Sequence, residues 1–531
     1  MLVSLRPITW PWTFVLAASA GFLLRCAFPA PALWIAAPVG IALWLLVLRS
    51  RGFWAGFAVS LIASAAFWFS LIQWLTLYLG PLPWAALAAL MTLTMALGGA
   101  AIAFAWRWAP RLWSSRLTEF LLVPALVASI WVARESLASS WPYGGFSWGR
   151  VAMSQTNGPF ANWFAVVGAS GVSWLLVAIV AVLIQLVFVG PKIGWRPTVE
   201  PRVLAAATAL VAIVALPQFP VATFGSLRVL AVQGGADASL FTSLPRGSVL
   251  QAQTEATLAF AGESVDVVVW PENGSDLNPL KYQQSAAILN ALSKEFDAPL
   301  LVGAITERDG LMFNSSLLWQ APDGLVDWYD KLHPVPFAEY MPNRSFWRPF
   351  APDLIDLIVR DYQAGSRPNV MSVAGVPSGV AICFDIAYDE QIRAMTRQGA
   401  QIIYAQTNNA DFGHTDESEQ QLAIARMRSL ETGLPLVNIS TVGVSAIFDA
   451  HGNALQQLPT WQPGGMLEEL PLTVSTTPAN VAGQALTAGM NAFGWLPIVL
   501  MIFLGPLRRR SASYLSEAAT PTRRGRGRSG R

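Results

Sequence analysis

The chain has 531 residues, of which 54% are hydrophobic and only 12% are charged, and its mean hydropathy is +0.45. Soluble proteins usually carry about 25% charged residues, so this composition excludes an ordinary soluble enzyme and predicts a part dissolved in lipid. Because the formal net charge is only +2, nothing in the overall composition argues for nucleic acid as a partner, and none is predicted.

Apolar runs long enough to cross a bilayer recur along the first 225 residues and once more near the end of the chain. They are predicted at residues 9–27, 31–48, 53–78, 82–106, 119–138, 163–189, 203–219 and 484–504. Basic residues lie at alternate ends of these runs. Because cytoplasmic loops are enriched in Lys and Arg, we predict a cytoplasmic N-terminus and a region 226–475 outside the cytoplasm.

The predicted organisation therefore has four parts. They are a seven-helix transmembrane domain (1–225), a catalytic domain (226–475), a final transmembrane helix (476–506) and a basic cytoplasmic tail (507–531). For the arginine-rich tail, a solvated segment that sets topology is the main interpretation, and nucleic-acid binding is the alternative.

An aromatic, glycine-rich loop, residues 141–150, follows the fifth run and contains Phe146 and Trp148. Aromatic residues gather where a membrane meets water, so this loop is either an ordinary interfacial belt or a lipid-facing floor beneath an extracytoplasmic site. The sequence favours neither interpretation.

Between residues 226 and 475 the apolar runs shorten to strand length and alternate with helical patterns. Strands are predicted at 228–233, 266–270, 299–304, 314–319, 377–383, 401–405 and 436–440, and helices at about 280–296, 387–398 and 417–432. This alternation predicts an α/β fold, in which reactive residues lie at the carboxyl ends of strands.

Three residues fit that placement, namely Glu272, Lys331 and Cys383. Each has an ordinary alternative: a surface carboxylate, a surface amine paired with Asp330, and a buried apolar cysteine. Together they suit one chemistry. The carboxylate can take the proton of the thiol, and the ammonium can stabilise both the thiolate and the oxyanion of a tetrahedral intermediate.

The turn after the cysteine offers a second oxyanion donor, the backbone N–H of Phe384. A helix beginning near Ala387 would add the positive end of its dipole. The three histidines and two cysteines do not have the spacing of metal ligands, so we predict no metal site and no cofactor. Cys26 lies in a membrane-like run, so we expect no disulfide with Cys383.

The stretches Val269–Glu272, Tyr329–Leu332 and Ala381–Cys383 resemble the Glu-Lys-Cys triad of the nitrilase superfamily. Over nearly the whole chain, the order of membrane spans, nitrilase-like domain and last span resembles the apolipoprotein N-acyltransferase family. The resemblance implies an αββα sandwich for the domain. It also implies a second essential carboxylate at Glu339, within a motif similar to the family's Pro-Phe-Gly-Glu.

The resemblance also has departures. Phe384 and Asp385 stand where the family often has Tyr-Glu, so the acid is shortened and a phenol hydroxyl is lost. Residues 407–413 resemble a family segment in which an aromatic residue occupies the position of Asp411. By resemblance, Asp385 supports the site, and Phe146, Trp148, Asn409 and Phe412 contact substrate.

The function implied by the resemblance is a two-step acyl transfer in the bacterial inner membrane. Cys383 takes an acyl chain from a phospholipid as a thioester, and the N-terminal amine of a diacylglyceryl-cysteine apolipoprotein then accepts it. Both substrates are lipids, which explains a catalytic domain tethered to the bilayer.

Other functions remain open from the residues alone. A membrane-anchored amidase or nitrilase-type hydrolase would explain the three residues but not eight spans. A Cys-His protease would leave Lys331 without a role. A non-catalytic scaffold for lipoproteins or for a glycolipid-building enzyme is the remaining alternative.

Overall fold

The computed structural model describes residues 8–49, 51–112, 115–188, 216–239, 242 and 244–518. The first part of the chain is helical, with α1 (Trp10–Ala27), α2 (Ala36–Leu48), α3 (Phe53–Leu71), α4 (Leu75–Leu79), α5 (Pro81–Leu112), α6 (Val123–Ala138) and α7 (Phe164–Phe188). These helices match the first six predicted spans. The third predicted span is divided between α3 and α4, and most of the seventh, 203–219, lies outside the described residues.

Four stretches of the described chain are long and apolar enough to cross a membrane: Phe53–Leu71, Pro81–Arg111, Thr118–Ala138 and Ala161–Phe188. The helix Ala36–Leu48 is apolar but shorter. The chain is therefore a membrane protein, as its composition indicates.

In the described part of the following region, twelve strands form two six-stranded sheets. They are β1 (Thr223–Gln233), β2 (Val267–Val269), β3 (Leu300–Arg308), β4 (Leu311–Gln320), β5 (Gly324–Asp330), β6 (Val370–Val373), β7 (Val376–Ile382), β8 (Ile402–Thr407), β9 (Leu436–Ser440), β10 (Ser445–Phe448), β11 (Ala454–Leu458) and β12 (Gly464–Thr473). The orders are β12-β1-β2-β3-β4-β5 and β11-β10-β9-β8-β7-β6. The centres of both sheets, β1-β2-β3 and β7-β8-β9, are parallel.

The two sheets pack face to face through a core that includes Val229, Val267, Val380, Tyr404 and Val437. The parallel strands read as continuous apolar runs because both of their faces are covered. Between the strands lie α8 (Ser248–Leu258), α9 (Gln283–Phe296), α10 (Arg344–Trp347), α11 (Pro352–Leu357), α12 (Asp389–Arg397) and α13 (Glu417–Thr432).

Helices cover the outer face of each sheet, which completes the predicted αββα sandwich. Residues of α8 and α9, such as Leu250 and Leu289, pack on the first sheet. Residues of α12 and α13, such as Met395 and Ile424, share one core with the second sheet and with the membrane helices. The second sheet therefore faces the membrane bundle through α12 and α13.

The last helix, α14 (Pro478–Ala518), returns to the bundle and packs on α6 and α7, so the predicted eighth span is helical. Small residues permit close helix contacts here, as is usual in membranes. A Cβ added at Gly494 would lie 2.6 Å from the carbonyl oxygen of Ser129 in α6. A Cβ at Gly21 in α1 would lie 2.0 Å from the carbonyl oxygen of Ala63 in α3.

The predicted strands and helices of the α/β region are confirmed, with small shifts at their ends. Two shifts concern the site. The strand predicted to end at Cys383 ends at Ile382, and the helix predicted to begin near Ala387 begins at Asp389. A 3₁₀ turn, Cys383–Ala387, fills the interval, because Cys383 has a left-handed backbone that cannot continue a strand. Strand β5 was anticipated only as an extended segment before Lys331, and strands β6, β10, β11 and β12 and helices α8, α10 and α11 were not predicted.

Candidate active site

Strand direction brings the three predicted residues to one edge of the sandwich. Glu272 follows β2, Lys331 follows β5 and Cys383 follows β7, each at the carboxyl end of its strand. Because β3-β4 and β4-β5 are antiparallel, β5 points the same way as β2 and β3. The side chains of Glu272 and Lys331 are buried, with relative exposures of 4% and 1%. The surface alternatives for these two residues are therefore wrong.

A buried ammonium joins two carboxylates at this edge. Lys331 Nζ lies 2.9 Å from Glu339 Oε2 and 3.5 Å from Glu272 Oε1. The structure thus brings Glu339 to the two predicted residues, although Glu339 lies in an irregular segment after β5. The backbone N–H of Val335 donates to Glu339 Oε2 at 2.7 Å and holds this carboxylate toward the lysine.

Asn314, at the start of β4, is a site residue that the sequence analysis missed. Its side-chain amide donates to Glu272 Oε1 at 2.7 Å and to Glu339 Oε1 at 2.8 Å. The backbone carbonyl oxygen of Asn314 accepts from the backbone N–H of Lys331 at 2.9 Å. One residue therefore spaces both carboxylates and the lysine. The available signal was the polar run Asn314–Ser316 within a strand that is otherwise mostly apolar.

Burial and charge set the protonation states of this cluster. Burial would lower the pKa of Lys331, but the carboxylates of Glu339 and Glu272 outweigh burial and hold that pKa well above its usual value. Burial raises the pKa of Glu272, whereas the charge of Lys331 and the hydrogen bond from Asn314 oppose that rise. The lysine is a permanent cation, and Glu272 is a carboxylate that gains a proton more readily than a surface one.

Cys383 has a left-handed backbone with φ of 52°, which is unusual for a residue other than glycine. Such a conformation costs about 1–3 kcal/mol and persists only where neighbouring contacts hold it. Asp385, two residues further on, supplies those contacts. This fully buried carboxylate accepts from Tyr329 Oη at 2.8 Å and from the backbone N–H of His333 at 3.0 Å. Asp385 therefore ties the cysteine turn to the segment that carries Lys331.

The thiol itself lies among charged groups and apolar residues. Burial raises the pKa of Cys383 well above its usual value, the charge of Glu272 adds to this rise, and the charge of Lys331 opposes it. A thiol in this environment needs a base to become a nucleophile, and Glu272 is the adjacent carboxylate.

An aromatic cluster lies between the cysteine turn and the membrane helices. Phe384 stacks on Phe146 and Trp148, with ring centroids 5.9 and 6.3 Å apart. Trp74 contacts Trp148 at 5.8 Å and Phe412 at 5.0 Å. The aromatic loop thus lies directly against the residue that follows the cysteine, which places three of the four predicted substrate-contacting residues in one cluster.

The fourth, Asn409, is placed differently. Its side chain is buried and makes hydrogen bonds only with protein groups in the described structure: Thr407, Glu417, Gln421 and Ser440. Both ends of its amide are thus bonded to protein groups, and the substrate contact expected at Asn409 stays a prediction.

A charged network links the same turn to the membrane part. The guanidinium of Arg428 in α13 is fully buried and donates to the carbonyl oxygens of Ile386 and Ala387 at 2.9 and 2.7 Å. It also lies 2.9 Å from Asp389, which pairs with Arg150 of the aromatic loop at 2.7 Å. The sequence contained both arginines but could not show that they share one carboxylate.

Among the described residues, no group of three or more His, Cys, Asp or Glu side chains is arranged to hold a metal ion. The acidic residues of the site face an ammonium group, so the charge of Lys331 occupies the position where a cation would otherwise bind.

The sandwich, with Glu, Lys and Cys side chains at one edge, defines a protein of the carbon–nitrogen hydrolase class, and residues 210–477 match the family model described as carbon-nitrogen hydrolase. Residues 20–183 match the model described as the apolipoprotein N-acyltransferase N-terminal domain. The chain belongs to the apolipoprotein N-acyltransferase family and is an acyltransferase.

Similar proteins include the apolipoprotein N-acyltransferase of Mycolicibacterium smegmatis, which is 30% identical over 94% of this chain and 87% of its own length. That of Vibrio parahaemolyticus is 26% identical over 92% of this chain and 95% of its own length. Among solved structures, a nitrilase-superfamily amidase of Nesterenkonia matches 50% of this chain and 97% of its own at 16% identity, with a TM-score of 0.39. A carbon-nitrogen hydrolase of Helicobacter pylori has a TM-score of 0.36 at 16% identity, over 50% of this chain and 93% of its own.

Proposed function

We propose that this protein transfers an acyl chain from a phospholipid to the N-terminal amine of a diacylglyceryl-cysteine apolipoprotein, through a thioester on Cys383. The observation that carries the proposal is the buried contact of Lys331 with both Glu272 and Glu339 at the strand edge where Cys383 lies. The names of the related proteins supply the apolipoprotein acceptor.

In the first step, Glu272 removes the thiol proton of Cys383, and the sulfur attacks the ester carbonyl of the phospholipid. The carbonyl oxygen becomes an oxyanion, for which the Lys331 ammonium and the backbone N–H of Phe384 are the assigned donors. When the intermediate collapses, Glu272 returns its proton to the departing alkoxide. A lysophospholipid leaves, and the acyl group remains on sulfur.

In the second step, the neutral α-amine of the lipoprotein cysteine attacks the thioester carbonyl. Glu272 takes the proton that the nitrogen loses, and the thiolate of Cys383 leaves as the amide forms. The proton then passes from Glu272 to the thiolate, which restores the starting enzyme. The same base serves both steps because burial makes its carboxylate a ready proton acceptor, while Lys331 holds it ionised between steps.

The position of the site suits lipid substrates. Exposing an acyl chain to water costs about 0.8 kcal/mol per CH₂, so an enzyme that stays in the bilayer avoids extracting two lipids. The cysteine turn rests on the aromatic cluster that also contacts α3 and α4. In this proposal the membrane is the bacterial inner membrane, the part 226–475 lies on its extracytoplasmic side, and residues 1–225, 476–506 and 507–531 are the membrane domain, last span and cytoplasmic tail.

The test is to trap the acyl-enzyme. Purified protein is incubated with a phospholipid of defined acyl chain and no acceptor, and the peptide that contains Cys383 is measured by mass. We expect a gain of one acyl group. Addition of a diacylated lipopeptide with a free amine should remove that mass and produce the triacylated product.

The chain offers a matched control, because it has two cysteines. Cys26→Ser should retain acylation and transfer, and Cys383→Ser should lose the trappable thioester and the triacylated product. Full transfer by Cys383→Ser would refute the assigned nucleophile. Release of free fatty acid in place of transfer would indicate the hydrolase, and no turnover at all would indicate the scaffold.

A further inference from the structure

The first turns of α13 face the active-site thiol. The side-chain nitrogen Nε2 of Gln421 lies 3.6 Å from Cys383 Sγ, within hydrogen-bonding distance of a sulfur acceptor. Gln421 is itself buried, with a relative exposure of 2%. Neither step described above uses this contact, yet it joins a polar hydrogen directly to the reacting atom.

The orientation of the Gln421 amide depends on Asn409. In the orientation that the structure gives this amide, Asn409 Oδ1 accepts from the hydroxyls of Ser440 and Thr407 at 2.6 and 3.2 Å. In that orientation Asn409 Nδ2 donates, and one of its hydrogens goes to Gln421 Oε1 at 2.6 Å. With its oxygen turned toward Asn409, Gln421 can present only its N–H₂ group to the sulfur.

The second hydrogen of Asn409 Nδ2 goes to Glu417 Oε2 at 2.7 Å. Burial raises the pKa of Glu417 to about 8, and the charges of Glu272 and Asp411 add to this rise. At neutral pH this carboxyl is therefore mainly protonated, and it can accept the hydrogen bond without placing a negative charge beside the thiol.

The backbone leaves room for this arrangement. A Cβ added at Gly443 would lie 2.2 Å from Asn409 Oδ1 and 2.8 Å from Ser440 Oγ. The backbone N–H of Gly443 donates to that hydroxyl at 3.0 Å, which leaves the hydroxyl hydrogen of Ser440 free to point at Asn409. The hydrogen bonds from Ser440 through Asn409 to Gln421 therefore form one continuous chain that ends at the sulfur.

We propose that Gln421 is a further catalytic residue, whose side-chain N–H, aimed by Asn409 as a positioning residue, donates a hydrogen bond to the Cys383 thiolate. The inference rests on the proposed thioester chemistry. Its chemical role is to stabilise the sulfur whenever it carries negative charge, both before attack on the phospholipid and as the leaving group in the second step. Titratable groups that also act on this sulfur are Glu272, Lys331 and Glu339, together with Glu417 when it is ionised.

The test measures the thiolate without any lipid substrate. In the full-length protein carrying Cys26→Ser, the rate of alkylation of Cys383 by iodoacetamide is followed as a function of pH. Gln421→Met removes the N–H donor while keeping an unbranched side chain of similar length. We expect its alkylation midpoint to move to higher pH by about one unit, because a hydrogen bond to a charged group is lost.

Gln251→Met is the matched control, since Gln251 is exposed on α8 and its side chain donates to Glu255 of the same helix. Its profile should coincide with that of the parent protein. Gln421→Leu is a second donor-free variant in case the first unfolds, and thermal unfolding shows which variants retain the fold. An unchanged midpoint in a folded donor-free variant would overturn the proposal.

The rate of thioester formation is a second, independent measurement. We expect Gln421→Met to form the acyl-enzyme about tenfold more slowly than the parent, in keeping with the weaker nucleophile. If slower acylation came with an unshifted alkylation profile, Gln421 would have a structural role and the proposal would fall. If the parent protein forms no thioester, the proposed function fails, while the alkylation profile still decides whether Gln421 acts on the sulfur.

Discussion

Gln420 and Gln421 are consecutive residues of α13 that face opposite halves of the molecule. Gln421 reaches Cys383, whereas Gln420 points into the membrane bundle. The oxygen of Gln420 accepts from the indole N–H groups of Trp148 and Trp74 at 2.7 and 3.2 Å. Its nitrogen donates to the carbonyl oxygens of Pro29 and Leu71 at 3.1 and 3.2 Å. One buried amide therefore fastens the helix beside the thiol to three separate segments of the membrane part.

Removing that amide should loosen the contact between the two parts of the protein. Gln420→Leu leaves two indole N–H groups and two carbonyls without their partner, and each buried unpaired group costs about 1–3 kcal/mol. We expect a lower Tm in detergent, measured by thermal unfolding, and slower acyl transfer. Gln251→Leu, on the exposed face of α8, should change neither. A Gln420→Leu variant with parental Tm and activity would contradict this role.

The amide of Asn314 should influence the pH dependence of the reaction. Its hydrogen bond lowers the pKa of Glu272, and Glu272 acts as a base only when ionised. Asn314→Leu removes that bond, so the pKa of Glu272 rises and the acid limb of the transfer rate moves to higher pH. The measurement is the rate of transfer at saturating substrate across the acid range.

A control for the pH prediction is Asn290→Leu, which removes a hydrogen bond from the Trp319 indole within the same domain. Its acid limb should stay where it is in the parent protein. An Asn314→Leu profile that coincides with the parent, or that moves to lower pH, would show that Asn314 does not support the ionised form of Glu272.

Two variants should separate the effect of the buried Lys331 on stability from its effect on catalysis. Lys331→Met leaves Glu272 and Glu339 close together without a cation, and removing one partner of a buried ion pair costs about 3–5 kcal/mol. We expect a large fall in Tm and loss of transfer. In the double variant Lys331→Met/Glu339→Gln, one negative charge is gone, so much of the Tm should return while transfer remains absent.

Thermal unfolding and the transfer assay together decide this case. Recovery of transfer in the double variant would mean that Lys331 only balances charge and does not stabilise the oxyanion. Glu339→Gln alone keeps an acceptor for Asn314 and serves as the reference. We expect it to insert and fold but to transfer more slowly, because Lys331 then has one carboxylate partner in place of two.

The aromatic loop should contribute to binding of the acyl chain. Phe146 is partly exposed and stacks on Phe384, next to the thiol. We expect Phe146→Ala to raise the KM for a long-chain phospholipid about three- to tenfold through lost apolar contact, with little change in kcat. Phe224→Ala is the control, because Phe224 is exposed at the start of β1, opposite the active-site edge. An unchanged KM for Phe146→Ala would favour the ordinary interfacial belt.

The composition and apolar runs of the chain were enough to predict a membrane protein with an α/β domain, because burial on both faces demands continuous apolar strands. The candidates could be selected because Glu272 follows such a run, Cys383 ends one, and Lys331 lies just past an extended segment. The exact end of the strand before Cys383 could not, since a left-handed residue is not encoded by its neighbours' polarity.

The sequence by itself was enough to predict a membrane-embedded part and an α/β domain. It was also enough to predict a reaction in which a base, a cation and a thiol act together. Only the tertiary structure decided which side chains surround that chemistry. Asn314, Asn409, Gln420 and Gln421 are ordinary amides in the sequence, and their roles depend on which atom, oxygen or nitrogen, faces each partner. That choice is made by hydrogen bonds between residues that are distant in the chain, because a buried amide is stable only where all of its partners agree.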